Sequence, residues 1–235
     1  MNTVIRTHVR NPKRLSILGR TIVSAKEHGL GTLGTIYVLD DASPLKEDVK
    51  SLCDSLGVKY VPATLKPGDT KNGLAESLSL APWDEPIFAV CDDAVFGRGI
   101  VEEIQHIMKE EVPPIQGNWG MISLFACYAR NAPLREGSHL WEYLIRAFYA
   151  GIAVIYSPAF RKAYYNDWNQ VANGLLPMPQ MCDDIYCKDI LNAMDLKLYN
   201  TIQDFAQHTG VDARTFGGNE ADPGSRYISQ FFVGE

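Results

Sequence analysis

The chain has 235 residues, of which 46% are hydrophobic and 21% charged, and its formal net charge at pH 7 is −6. That length supports a sizeable core in one large domain or two small ones, and the composition is that of an ordinary globular protein. The negative balance argues against broad, non-specific binding of nucleic acid, and no apolar run approaches the length of a membrane span.

Thr3 to Thr7 is the first predicted strand, and because the chain opens on it we read no signal peptide there and expect a cytoplasmic protein. The polar loop Arg6-Thr-His-Val-Arg-Asn-Pro12 follows, with Pro12 suited to the first turn of a helix. Leu15, Leu18, Ile22 and Val23 then recur at helical spacing, and His28-Gly29 marks the stop. Thr35 to Leu39 is a second strand, running into the acid pair Asp40-Asp41. Val49 to Leu56 is a second helix stopped at Gly57, and Val58 to Val61 is a short third strand. After the loop from Lys66 to Lys71, Asn72 to Leu80 reads as a third helix. The run Ile87 to Val90 is short enough for a strand buried on both faces, and it meets Asp92 and Asp93. This alternation of strand and helix predicts a parallel, doubly wound sheet.

Ile100 to Met108 is an amphipathic helix, ended by Glu110-Glu-Val-Pro-Pro114. Trp119 to Ala126 reads as a strand, Arg130 to His139 as a loop, and Tyr149 to Tyr156 as another buried strand. Ser157-Pro158 starts a helix, and Asp183-Asp184 precede the apolar helical face of Ile185, Cys187, Ile190, Leu191 and Met194. Leu196 to Tyr199 is a last strand, followed by the segment carrying His208. Thr215 to Tyr227 is rich in Gly, Asn and Asp and reads as a loop able to fold over a ligand, with Arg226 within it. The cysteines Cys53, Cys91, Cys127, Cys182 and Cys187 are odd in number and lack zinc-ligand spacing, which suits reduced thiols.

Asp92 and Asp93 are the first candidates for carrying chemistry. An acid pair at the end of a buried strand is costly unless positive charge sits against it, and that end of an open α/β sheet is where ligands bind. A divalent cation held by carboxylates and ligand phosphates would supply the charge. The plainer alternative is that both acids cap the following helix. The turn after strand one contains no glycine, and no Gly-x-x-x-x-Gly-Lys-Ser/Thr occurs, so a backbone nest for phosphate is not expected.

The order of a strand-Thr-x-x-Arg loop, Leu39-Asp-Asp-Ala-Ser-Pro44, Lys71-Asn-Gly-Leu74 and Cys91-Asp-Asp-Ala94 resembles nucleotide-sugar glycosyltransferases of the GT-A fold, chiefly their family-2-like inverting branch. The likeness covers residues 3 to 97 and runs more thinly beyond them. It implies an α/β, Rossmann-like fold: a mostly parallel, doubly wound sheet with a smaller acceptor-side subregion. One domain over residues 1–235 is implied, with 1–98 binding the nucleotide sugar and 99–235 binding the acceptor and carrying catalysis. By this resemblance Thr7 and Asp41 hold the base, Asp40 braces their loop, and Lys71 and Asn72 lie along the ribose and diphosphate. Arg10 belongs to the same donor-binding set, Asp92 faces the ribose, and Asp93 binds a metal, Mn²⁺ or Mg²⁺. The usual Asp-x-Asp reads Asp-Asp-Ala here, which leaves Asp93 as the carried-over ligand. Gln207-His-Thr-Gly210 resembles a closing motif of such enzymes, making His208 a candidate for the metal or the diphosphate, and imidazole favours Mn²⁺. A lone His is also commonly a satisfied structural residue.

The implied function is metal-dependent transfer of a sugar from a nucleoside-diphosphate donor, a UDP sugar by default, to an acceptor hydroxyl with inversion. Asp184 would take the acceptor proton, with Asp183 as fallback, although both also suit N-capping and a retaining reaction needs no base there. Gly151 would back the sugar pocket or simply allow close packing. Two rivals stay open: a nucleotidyltransferase that makes the nucleotide sugar, disfavoured by the glycine-free first loop, and a non-catalytic nucleotide- or carbohydrate-binding module. The acceptor, whether glycan, protein, lipid-linked sugar or modified nucleobase, is undecided by the sequence. The chain's size suits a virus or a bacterium.

Overall fold

A computed structural model of the chain describes residues 1–64, 70–115, 117–125, 133–143, 145, 151–176, 183–209 and 232–234, without the side chains of 70–72. The first half alternates as expected: β1 (Asn2–Thr7), α1 (Pro12–Glu27), β2 (Ile36–Asp40), α2 (Lys46–Leu56), β3 (Lys59–Pro62), α3 (Thr70–Ser79) and β4 (Ile87–Cys91). These strands pair in parallel, in the order β3-β2-β1-β4. The strand chemistry explains the two layers. Ile5, Val38, Phe88 and Val90 pack with Leu18, Ile22 and Val49 of α1 and α2 on one face. Their neighbours Val4, Leu39, Ile87 and Ala89 point to the other face. Alternation along each strand puts successive residues on opposite sides, so strands apolar throughout require helices on both.

The second half contributes β5 (Ala94–Phe96), α4 (Ile100–His106) with a π-helical turn at Ile107–Glu111, β6 (Trp119–Ser123), β7 (Leu140–Tyr143), β8 (Ala153–Tyr156), α5 (Pro158–Ala172), α6 (Asp183–Ala193), β9 (Lys197–Thr201) and β10 (Ala206–His208). The sheet continues β4-β8-β6-β9-β7. Here it is mixed: β8 runs antiparallel to β4 and β6, and β7 antiparallel to β9, while β6 and β9 are parallel. Strands β5 and β10 form a separate antiparallel ribbon. The second face is covered by α3, α5 and α6 through Leu74, Leu78, Phe160, Trp168 and Leu191. Among the described residues no helix is long and apolar enough to cross a membrane.

Arg161 of α5 ties this face together. It has no exposed surface, and burial pushes its pKa down to about 10. Its guanidinium donates to the carbonyls of Leu78 at 2.6–2.8 Å and of Ala81 and Pro82 at 2.8 Å, and also to that of Glu85. It therefore caps the carboxyl end of α3 and the turn into β4, and it sits over the Trp83 ring at 5.1 Å. Arg161→Met would bury these carbonyls without a donor. We expect a loss of about 3–5 kcal/mol, the scale for breaking a buried charged network, read as a lower urea midpoint at unchanged slope.

Candidate active site

The parallel strands end side by side, and each delivers a polar residue to that edge. β1 ends on Thr7, β2 on Asp40, and β4 leads into Asp92-Asp93. Thr7 and Asp40 are register partners, as are Arg6 and Cys91.

The acids do not cap a helix: α4 starts at Ile100, behind Gly99, which supplies no side-chain cap. They are instead 5% and 4% exposed and paired inside the chain. Asp92 Oδ2 accepts from Thr7 Oγ1 at 2.6 Å, its Oδ1 pairs with Arg14, and its carbonyl accepts from Thr21 Oγ1 at 2.8 Å. Asp93 Oδ2 lies 3.3 Å from Arg14 Nη1 and 3.2 Å from His208 Nε2. Burial, with Asp93 alongside, pushes Asp92 up to about 6 despite Arg14. Burial also acts to raise Asp93, but His208 and Arg14 together hold its carboxyl below the usual range.

Two local features build this cluster. Asn11 caps α1 by accepting from the Arg14 backbone N–H at 3.0 Å, and Pro12 sets the first turn. Arg14 thus starts a helix aimed at the acid edge. The β5–β10 ribbon, in which His208 faces Ala94, brings in the imidazole. Thr209 locks that register by donating its N–H and hydroxyl to the Asp93 carbonyl, each at 2.8 Å.

Arg14 is the residue missed in reading the sequence. The positive charge expected from a metal is already supplied by this guanidinium. A signal was present: Lys13 and Arg14 put two cations in the first turn of a helix, against its dipole, and such local conflicts mark functional sites.

The loops after β1 and β2 are laced together. Asp40 accepts from the Ser43 N–H at 3.1 Å, the Ser43 hydroxyl and the Tyr60 hydroxyl at 3.0 Å. The Ser43 hydroxyl oxygen accepts from the Val9 N–H at 2.6 Å. Asp41 donates its N–H to the Thr7 carbonyl at 2.8 Å, and its own carbonyl lies 2.6 Å from His8 Nδ1. Ala42 adopts φ 51°, a left-handed conformation that a side chain disfavours and that this lacing maintains. Asp41 is half-buried and Arg10 is exposed. Lys71 and Asn72 fall in the first turn of α3, and their side chains lie outside the described residues, as do residues 215–227 with Arg226, and also Cys127 and Cys182.

A second carboxylate pair opens α6. Asp183 Oδ2 forms an ion pair with Arg6 Nη1 at 3.0 Å, and Asp184 Oδ1 accepts from the Gly151 N–H at 3.1 Å. Gly151 adjoins the end of β4: the Cys91 thiol lies 3.5 Å from its carbonyl, and the Cys91 N–H donates to Ile152 at 2.9 Å. Asp184 is therefore held beside the strand that leads into Asp92 and Asp93.

Among the described residues no three His, Cys, Asp or Glu side chains gather into a metal cage. Asp93 and His208, an ion pair here, could serve as two corners of a cation's ligand shell. Octahedral ligands about 2.1 Å from a cation sit roughly 3 Å apart, close to the observed 3.2 Å. Such a pair suits a cation whose remaining ligands come from phosphate oxygens and water.

No protein-family model matches the chain, and no curated protein is similar to it at a significant level. Among solved structures, residues 1–349 of S. aureus TarS superimpose with a TM-score of 0.56 at 11% identity, over 89% of this chain and 60% of that one. The chain has the GT-A fold. The same TarS segment in complex with UDP-GlcNAc aligns with a TM-score of 0.55 at 11% identity, over 87% and 57%. A cytidylyltransferase from Leptospira borgpetersenii aligns with a TM-score of 0.51 at 12% identity, over 86% and 76%. The chain spans about three-fifths of the TarS segment, 60% by alignment. At such identities the likeness is one of GT-A architecture alone.

Proposed function

We propose that the chain is a glycosyltransferase that takes a nucleoside-diphosphate sugar, a UDP sugar first, and a divalent cation at the carboxyl edge of β1, β2 and β4. The observation that carries this reading is the Asp93–His208 corner, 3.2 Å across, beside the Thr7–Asp92–Arg14 network. In this reading Asp93 and His208 hold the cation, Mn²⁺ better than Mg²⁺ because of the imidazole. Bound there, the cation would supply Lewis-acid stabilisation of the departing diphosphate. Thr7 at the end of β1 and Asp41 just after β2 stand where the two laced loops begin and would cradle the nucleoside, with Asp40 as their brace. Arg10, exposed beside them, is available to the donor. Asp92 reaches the ribose in this account only when Arg14 gives way, since Thr7 and Arg14 now occupy its oxygens.

Asp184 would accept the acceptor's hydroxyl proton as that oxygen bonds to the anomeric carbon. The bond from that carbon to the diphosphate oxygen breaks, the leaving group keeps the electron pair, and configuration inverts. The Gly151 N–H orients the Asp184 carboxylate. Asp183 is instead engaged by Arg6 at 3.0 Å.

The test is product analysis with the full chain and Mn²⁺. Incubation with UDP, GDP, dTDP and CDP sugars should release a nucleoside diphosphate from one of them, through slow transfer to water if no acceptor is added. Release of pyrophosphate from a nucleoside triphosphate and a sugar 1-phosphate, with no turnover of any nucleotide sugar, would replace this reading by the nucleotidyltransferase one.

A further inference from the structure

Arg14 occupies the place where a cation would act. Its guanidinium bridges Asp92 and Asp93, and its side chain is 18% exposed, against 7% and 6% for the two acids. The arginine therefore stands on the open side of the pair. Asp93 Oδ2, the oxygen nearest His208, is also the one Arg14 Nη1 approaches, at 3.3 Å. A divalent cation on that oxygen would meet a guanidinium at contact distance, and like charges so close repel strongly in a poorly solvated site. The arginine also cancels one of the two negative charges that would attract a cation. With no third ligating side chain among the described residues, the corner has little to offer a bare cation.

We propose that Arg14 is a built-in competitor for the cation at Asp93, so that cation and nucleoside diphosphate bind together and Arg14 turns from Asp93 to the phosphates as they enter. This rests on the donor-site reading above. The guanidinium fork suits phosphate oxygens as well as carboxylates, so the exchange keeps its charge paired throughout. Arg14 acts here as a positioning residue: it keeps the acid pair ordered until the donor arrives. Binding linkage requires reciprocity, so Mn²⁺ must tighten UDP by the factor by which UDP tightens Mn²⁺.

Mn²⁺ binding, followed by loss of the free-ion electron paramagnetic resonance signal, tests this on the full chain with and without UDP. Wild type should bind Mn²⁺ weakly alone and about tenfold or more tightly with UDP. Arg14→Met should bind Mn²⁺ alone about tenfold more tightly than wild type, with a smaller response to UDP. Arg14→Lys keeps the charge but loses the fork and should fall between them, giving the same ordering if Arg14→Met does not fold. If UDP binds but neither variant takes up Mn²⁺ more tightly than wild type, Arg14 is not a competitor and this proposal alone fails. If UDP binds under no condition, the donor-site reading fails and takes this proposal with it.

Discussion

Asp184→Asn should lower turnover by about 10²–10⁴-fold at saturating donor, the range for loss of a general base, while leaving donor affinity and fold unchanged. The amide oxygen of Asn can still accept from the Gly151 N–H, which Asp184 now does at 3.1 Å, so the substitution removes basicity more than structure. Asp183→Asn should behave differently. It removes the ion-pair partner of Arg6, a buried guanidinium whose pKa Asp183 helps to hold above the usual arginine value against the opposing effect of burial. A cation left unpaired there costs stability, on the order of 3 kcal/mol in a buried site and less here, where the Asp183 side chain is 19% exposed. Initial rates and thermal melting on both variants separate the two roles. Near-normal turnover in Asp184→Asn would remove the base from this account and point to a retaining reaction.

Asp93→Asn should be the more damaging change at the donor side. It halves the charge of the pair, removes the oxygen approached by both Arg14 and His208, and leaves the cation corner with the imidazole alone. Losing the charge stabilisation a cation gives a leaving diphosphate is worth several kcal/mol, so turnover should fall about 10³-fold or more. His208→Ala keeps the carboxylate and should lose less. The comparison is made by initial rates across a Mn²⁺ series. Asp93→Asn should show no rescue at high Mn²⁺, whereas His208→Ala should be partly rescued. Equal, cation-independent rates in wild type and Asp93→Asn would remove the metal from the site.

The strands and helices from β1 to β4 were legible in the sequence because their signals are local. Pro12 after Asn11, Gly57 after Leu56 and the apolar run before Asp92 each fix an element within a few residues. The edge that Thr7, Asp40 and Asp92 share follows from the parallel direction of the strands, which the alternating pattern predicts. What was not legible depends on pairing across the chain. The sequence does not reveal that β8 inserts antiparallel between β4 and β6, because a short apolar run carries no direction. Nor could Arg161 be recognised as a carbonyl cap or Arg6 as the partner of Asp183, since those contacts join segments far apart. His208 could be suspected from its motif, but its place beside Asp93 comes from the β5–β10 ribbon.

The most direct test of the donor site is calorimetric titration of the full chain with UDP, GDP, dTDP and CDP sugars, with and without Mn²⁺, on wild type and Asp93→Asn. One nucleotide sugar should bind wild type only, or far more tightly, with Mn²⁺, and that dependence should vanish in Asp93→Asn. Binding of no nucleotide sugar under either condition, by a protein that is folded, would contradict the account and leave the GT-A fold in the service of another ligand.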